Sequence, residues 1–167
     1  MGAAIQVSCM RCEPRPHRVF CDLPAEALGT LDGIKTVTAY QRGAALFSEG
    51  RQARGVFVLC GGRAKLSICG DSGKRLLLRI ASPGEVLGLS SALSGRPYEL
   101  TAEALDSCQV AFVRRRDLLK FLRAHCEACL RVVHLLSGDL HNAYERVRTI
   151  GLSRTRRPRA QTRSAKA

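Results

Sequence analysis

Turn signals recur about every ten residues through the middle of this sequence, and the stretches between them are too short for ordinary helices. They are Gln41-Arg42-Gly43, Glu49-Gly50-Arg51, Gly61-Gly62, Gly70-Asp71-Ser72-Gly73 and Ser82-Pro83-Gly84. The runs they bound, residues 44–47, 56–60, 63–69 and 76–81, are rich in branched, aromatic and small apolar side chains. Ahead of them Ile34, Thr36, Thr38 and Tyr40 alternate with Lys35, Val37 and Ala39, a period of two that a half-buried strand requires. Two further strands are expected at 99–105 and 108–113. Short strands with turns at this spacing predict an antiparallel sandwich or jelly roll.

Helices flank this β region. Pro24, Ala25, Glu26, Ala27 and Leu28 open a short helix that Gly29 and Gly33 weaken or end, and residues 117–124 read as a second helix of about two turns. The last element carries the most spacing information. Cys129, Val133, Leu136, Leu140, Ala143, Val147 and Ile150 recur at steps of four and three, the seam of a coiled coil, and this predicts a homodimer. The alternative is a helix lying on its own barrel, for which Leu130 and Leu135 widen the apolar face. Gly138 weakens the helix by about 1 kcal/mol relative to Ala.

Charge and cysteine content narrow the partners. The chain carries +13, and from Arg154 to the end stand Arg154, Arg156, Arg157, Arg159, Arg163 and Lys166 with no acid, so nearly half the excess sits on fourteen residues. Such a tail neutralises phosphates without reading bases, or is simply solvated. Eight cysteines without a recognisable secretory signal read as core thiols or soft-metal ligands in a cytoplasmic protein, and no apolar run is long enough for a membrane span. The expected organisation is an arm at 1–22 bearing Cys9, Cys12 and Cys21, a roll at 23–125, a dimerisation helix at 126–153 and a basic tail at 154–167.

Three stretches carry a resemblance. Residues 40–50 (YQRGAALFSEG), 55–69 (GVFVLCGGRAKLSIC) and 83–108 (PGEVLGLSSALSGRPYELTAEALDSC) resemble the strands and the phosphate cassette of the Crp/Fnr family of bacterial transcription regulators. The resemblance implies an eight-stranded cyclic-nucleotide-binding-like roll followed by a long dimerisation helix. It also implies DNA as a partner, read by a helix-turn-helix after that helix, for which the residues beyond Ser153 are too few.

In nucleotide-binding members the cassette holds a cyclic phosphate with backbone N–H groups and an Arg, while a Glu accepts the ribose hydroxyl. Setting Gly88 on the cassette glycine and Pro97 before its arginine places Leu89 at the Glu position and Tyr98 at the Arg position. Neither side chain performs that chemistry, and Glu99 adds a like charge beside any phosphate. Arg96 is the nearest substitute. The expected pocket is therefore a degenerate cassette of Gly84, Glu85, Gly88, Leu89, Ser90, Tyr98, Glu99 and Thr101, packed as core or open to an uncharged polar effector at Ser90, Ser91, Tyr98 and Thr101.

The cysteines at 9, 12 and 21 resemble the amino-terminal ligands of oxygen-sensing members, which implies an iron–sulfur cluster or zinc as cofactor. The second spacing is longer than in that pattern, and the fourth-ligand position falls on Ala111, with Cys108 three residues earlier on the opposite strand face. Cys126 and Cys129 lie on one side of the long helix, where core packing is the simpler role. No catalytic triad, paired-His metal motif or phosphate-gripping Gly-Lys-Ser/Thr turn occurs, so an enzyme is not expected.

Overall fold

The computed structural model describes residues 19–70 and 73–153, with side chains as far as Ile150. The chain divides into two compact units between Val132 and Val133. In chain order the elements are α1 (Ala25–Ile34), β1 (Lys35–Tyr40), β2 (Ala45–Phe47), β3 (Gly55–Gly61), β4 (Ala64–Cys69), β5 (Arg75–Ala81), β6 (Val86–Leu87), α2 (Leu89–Ser94), β7 (Thr101–Ala104), β8 (Cys108–Arg114), α3 (Arg115–Ala124) and α4 (Cys126–Ser153). The strands form two four-stranded sheets, ordered β1-β8-β3-β6 and β2-β7-β4-β5, with every pairing antiparallel. This is the jelly roll expected from the spacing of the turns.

Strand β3 organises both layers. It is buried from Gly55 to Leu59, because a central strand covered on both faces loses the polar alternation of an exposed one. Phe57 and Leu59 point into the space between the sheets, where they join Leu46, Phe47, Leu66, Leu87, Tyr98, Cys108 and Val110. Val56 and Val58 alternate to the other face, on the side of the strand where α3 packs. There α3 presents Leu118, Phe121 and Leu122 and leaves Arg116, Lys120 and Arg123 in water, an apolar stripe at helical spacing. Phe121 meets Phe20 edge to face, with ring centroids 5.9 Å apart.

Three details depart from the sequence reading. Helix α1 continues through Gly29 and Gly33 to Ile34, which the alternation had assigned to a strand. Burial of Ala27 and Leu31, one turn apart, outweighs the two glycines. Strand β6, which the sequence reading did not place, is only two residues long and pairs with β3 through Phe57↔Leu87 and Val58↔Val86, too short to show a period of its own. Helix α3 begins two residues before Asp117.

Helix α4 covers 28 residues, roughly 40 Å at about 1.5 Å per residue. Its first turns belong to the unit that contains the roll: Ala128 and Val132 are fully covered, and Arg131 pairs with Glu127 at 2.7 Å and reaches the backbone carbonyl of Asp22. From Val133 onward apolar side chains stand in the open. Val133, Leu140, Tyr144, Val147 and Ile150 are between 53% and 69% exposed. No helix among the described residues is long and apolar enough to cross a membrane.

Candidate functional site: a nucleotide cassette filled from within

The turn that leads into the cassette is anchored on β3. Gly84 donates its N–H to the Leu59 carbonyl at 2.6 Å, and Leu59 donates to the Glu85 carbonyl at 3.0 Å. The Glu85 carboxylate stays within the turn, accepting from the Ser82 N–H at 2.7 Å and pairing with Arg79. It is committed to structure rather than offered to a ligand. Strand β6 follows, and Gly88 then adopts a left-handed conformation (φ 75°) at the head of the six-residue α2. A side chain on Gly88 would meet the Tyr98 ring at 2.8 Å, so glycine is required twice over, for its backbone and for its lack of bulk.

Leu89, which the sequence register sets at the ribose-binding carboxylate position, is 4% exposed and packed as core. Tyr98, which the same register sets at the phosphate-binding arginine position, is 6% exposed. Its ring stacks on Phe47 with centroids 4.3 Å apart, and its hydroxyl donates to the Gly55 carbonyl at 2.8 Å. Burial pushes the phenol above its ordinary value. The group stays protonated and neutral, its one hydrogen given to a carbonyl, and it offers a phosphate no positive charge.

The other cassette residues make local contacts. Ser90 donates to the exposed Glu99 carboxylate at 3.2 Å. Thr101 is buried and its hydroxyl oxygen accepts the Glu49 N–H at 3.1 Å. Ser91 is buried, and its carbonyl accepts the Gly95 N–H that closes α2. Arg96 lies exposed in the following loop. A contact that the sequence reading missed holds α2 from below: Arg115, at the start of α3, donates to the Ala92 carbonyl at 2.7 Å. Its partner lies 23 residues away, so no local pattern announces it.

The thiols are dispersed. Cys108 is buried and donates to the Arg63 carbonyl at 3.1 Å, and burial pushes its thiol up, which makes it a poorer metal ligand. Ala111, the fourth-ligand position by register, is 2% exposed within β8. Cys60 and Cys129 are half-buried, Cys69 and Cys126 exposed. Cys21 is half-buried beside Phe20, whereas Cys9 and Cys12 lie outside the described residues. Among the described residues no three His, Cys, Asp or Glu side chains gather as a metal cluster would. Of the expected helix seam, Val133, Leu140, Ala143, Val147 and Ile150 are exposed and Cys129 and Leu136 half-buried. Tyr144, exposed beside Leu140 and Val147, was absent from the sequence pattern because it falls one position off the four–three spacing.

Two antiparallel four-stranded sheets, a Gly-Glu turn leading through β6 into a short helix, and a long helix after the roll define the class: a cyclic-nucleotide-binding-like jelly roll followed by a long helix. Residues 37–125, over half the chain, match the family described as the cyclic nucleotide-binding domain, and the chain belongs to that family. Crp/Fnr-type regulators are among its relatives. It is 28% identical to the transcriptional activatory protein AadR of Rhodopseudomonas palustris over 107 residues, 64% of this chain and 44% of that one. It is 29% identical to patatin-like phospholipase domain-containing protein 6 of Pongo abelii over 103 residues, which is 62% of this chain and only 8% of that protein.

Among solved structures, the catabolite activator protein of Thermus thermophilus superimposes with a TM-score of 0.74 at 20% identity, covering 80% of this chain and 63% of that one. The sensor domain of the transcriptional regulator DNR from Pseudomonas aeruginosa superimposes at 0.66 with 21% identity, covering 77% and 87%. The chain therefore spans less than half of either sequence relative named here.

Proposed function

We propose that this chain is the signal-sensing and dimerisation module of a Crp/Fnr-type transcription regulator whose cassette no longer takes a cyclic nucleotide in the usual mode. One observation carries the reading: Tyr98, set by the register at the arginine position, is buried against Phe47 and bonded to Gly55, and Leu89, set at the carboxylate position, is packed as core. A cyclic phosphate entering there would lose water and gain no guanidinium, and a buried anion without a counter-charge is strongly disfavoured. The likeness to AadR and to the DNR sensor domain supports regulation over catalysis.

In this reading two copies pair along Val133, Leu140, Val147 and Ile150, and a signal acts by favouring one packing of the paired helices over another. DNA is the partner of the whole regulator. Isothermal calorimetry of the full chain with cyclic AMP and cyclic GMP tests the cassette. No saturable heat is expected, and stoichiometric uptake of either nucleotide would overturn the reading.

A further inference from the structure

The end of the roll beside the β2–β3 loop holds a recess of about 520 Å³ that the cassette turn does not line. That volume lies within the range of about 300–1,000 Å³ found for small-molecule pockets. Its floor is aromatic. Phe47 stacks on Tyr98, Phe57 lies 5.2 Å from Phe47, and Phe112 lies 4.9 Å from Phe57, all as ring-centroid distances. Its rim is basic, carrying Arg51 and Arg54 with Gln52 between them.

The backbone that carries these arginines is held in place. Gly50 donates to the Tyr98 carbonyl and Tyr98 donates to the Arg51 carbonyl, both at 2.8 Å. The Gln52 side-chain amide donates to the Gly95 carbonyl at 3.0 Å, and Arg115 donates its N–H to the Arg54 carbonyl at 2.8 Å. The guanidinium groups, in contrast, are uncommitted: among the described residues neither Arg51 nor Arg54 forms an ion pair. The only carboxylate of the loop, Glu49, is turned away and accepts the Cys69 N–H at 2.8 Å.

We propose that this recess binds an organic anion with an aromatic body, its ring on Phe57 and Phe112 and its carboxylate, sulfonate or phosphate between Arg51 and Arg54. A planar guanidinium forms two parallel bonds to such a head group, and a pre-set loop removes much of the ordering cost. Phe47 and Tyr98 give the site a second role as a listening post. The Tyr98 ring lines the recess beside Phe47 and also packs over Gly88 of the cassette, so occupancy bears directly on the segment between β6 and β7.

The test is an amide NMR titration of the full, isotope-labelled chain with naphthalene-2-sulfonate, and with 2-naphthol as its uncharged counterpart. Saturating shifts are expected at Ser48 to Gly55, Phe57 and Phe112, with the sulfonate binding about tenfold or more tightly than the naphthol. Arg51→Gln with Arg54→Gln, both at exposed positions, should abolish that preference and leave naphthol binding unchanged. Equal affinity for the two probes, a preference that survives the double variant, or shifts confined to Val133 to Ile150 would overturn the proposal.

Discussion

The roll and the long helix solve the burial of apolar side chains in opposite ways. In the roll, Phe47, Phe57, Leu59, Leu66, Tyr98 and Val110 close on one another from two sheets, and even the phenol in the cassette has its carbonyl acceptor within the same unit. Beyond Val132 the helix has apolar side chains of the same kind and nothing to set against them within its own unit. A helix of this length draws most of its stability from packing an apolar face, not from intrinsic propensity. The difference teaches that the roll buries its apolar side chains within one copy, whereas the helix leaves its own exposed, as the proposed pairing with a second copy requires.

The contrast is broken most violently by cutting into the roll. Phe57→Ala removes a ring packed against Phe47 and Phe112 and should cost about 3–5 kcal/mol, read as a lower urea midpoint. Val147→Ala, at a position 69% exposed, should leave the roll's stability within about 0.5 kcal/mol and act only on association. Equal losses from the two variants would erase the distinction between the regions.

Next in size is Gly88→Ala. A left-handed alanine costs about 1–2 kcal/mol, and its methyl would also press on the Tyr98 ring, so the total should exceed the backbone cost alone. Thermal unfolding reads this directly, and a melting point equal to that of the parent chain would show that Tyr98 does not fill the cassette. Tyr98→Phe should cost less, about 1 kcal/mol, because stacking on Phe47 survives and only the bond to the Gly55 carbonyl is lost.

The smallest effect is one of pH. The folded chain holds the Tyr98 proton more tightly than the unfolded chain does. Its contribution to stability is therefore fully present below the ordinary phenol value of 10.0 and lost as pH rises through the higher folded value. Between the ordinary phenol value and that higher one, the urea midpoint should fall less steeply with pH for Tyr98→Phe than for the parent.

The fold was largely readable from the spacing of turns, because each glycine-bearing turn punctuates a strand whatever its distant partners are. The Gly88 and Pro97 register also singled out Leu89 and Tyr98, both of which are buried. What remained hidden shares one physical character, dependence on residues far along the chain. Tyr98 finds its acceptor at Gly55, 43 positions away, and α2 is held by Arg115 from the next helix. The recess at Arg51 and Arg54 was invisible for the same reason, since its floor is assembled from β2, β3, β8 and the α2–β7 loop. Ile34 was misassigned because a two-residue alternation continues by chance from the end of a helix into a strand.

Sedimentation equilibrium of the full chain and of Leu140→Asp tests most directly the claim that the helix needs a second copy. The parent should show twice its 18.2 kDa chain mass at micromolar concentration, and the variant a single chain with the roll still folded by circular dichroism. A parent chain that sediments at its monomer mass up to about 100 μM, where even a weak Kd would show, would contradict the account.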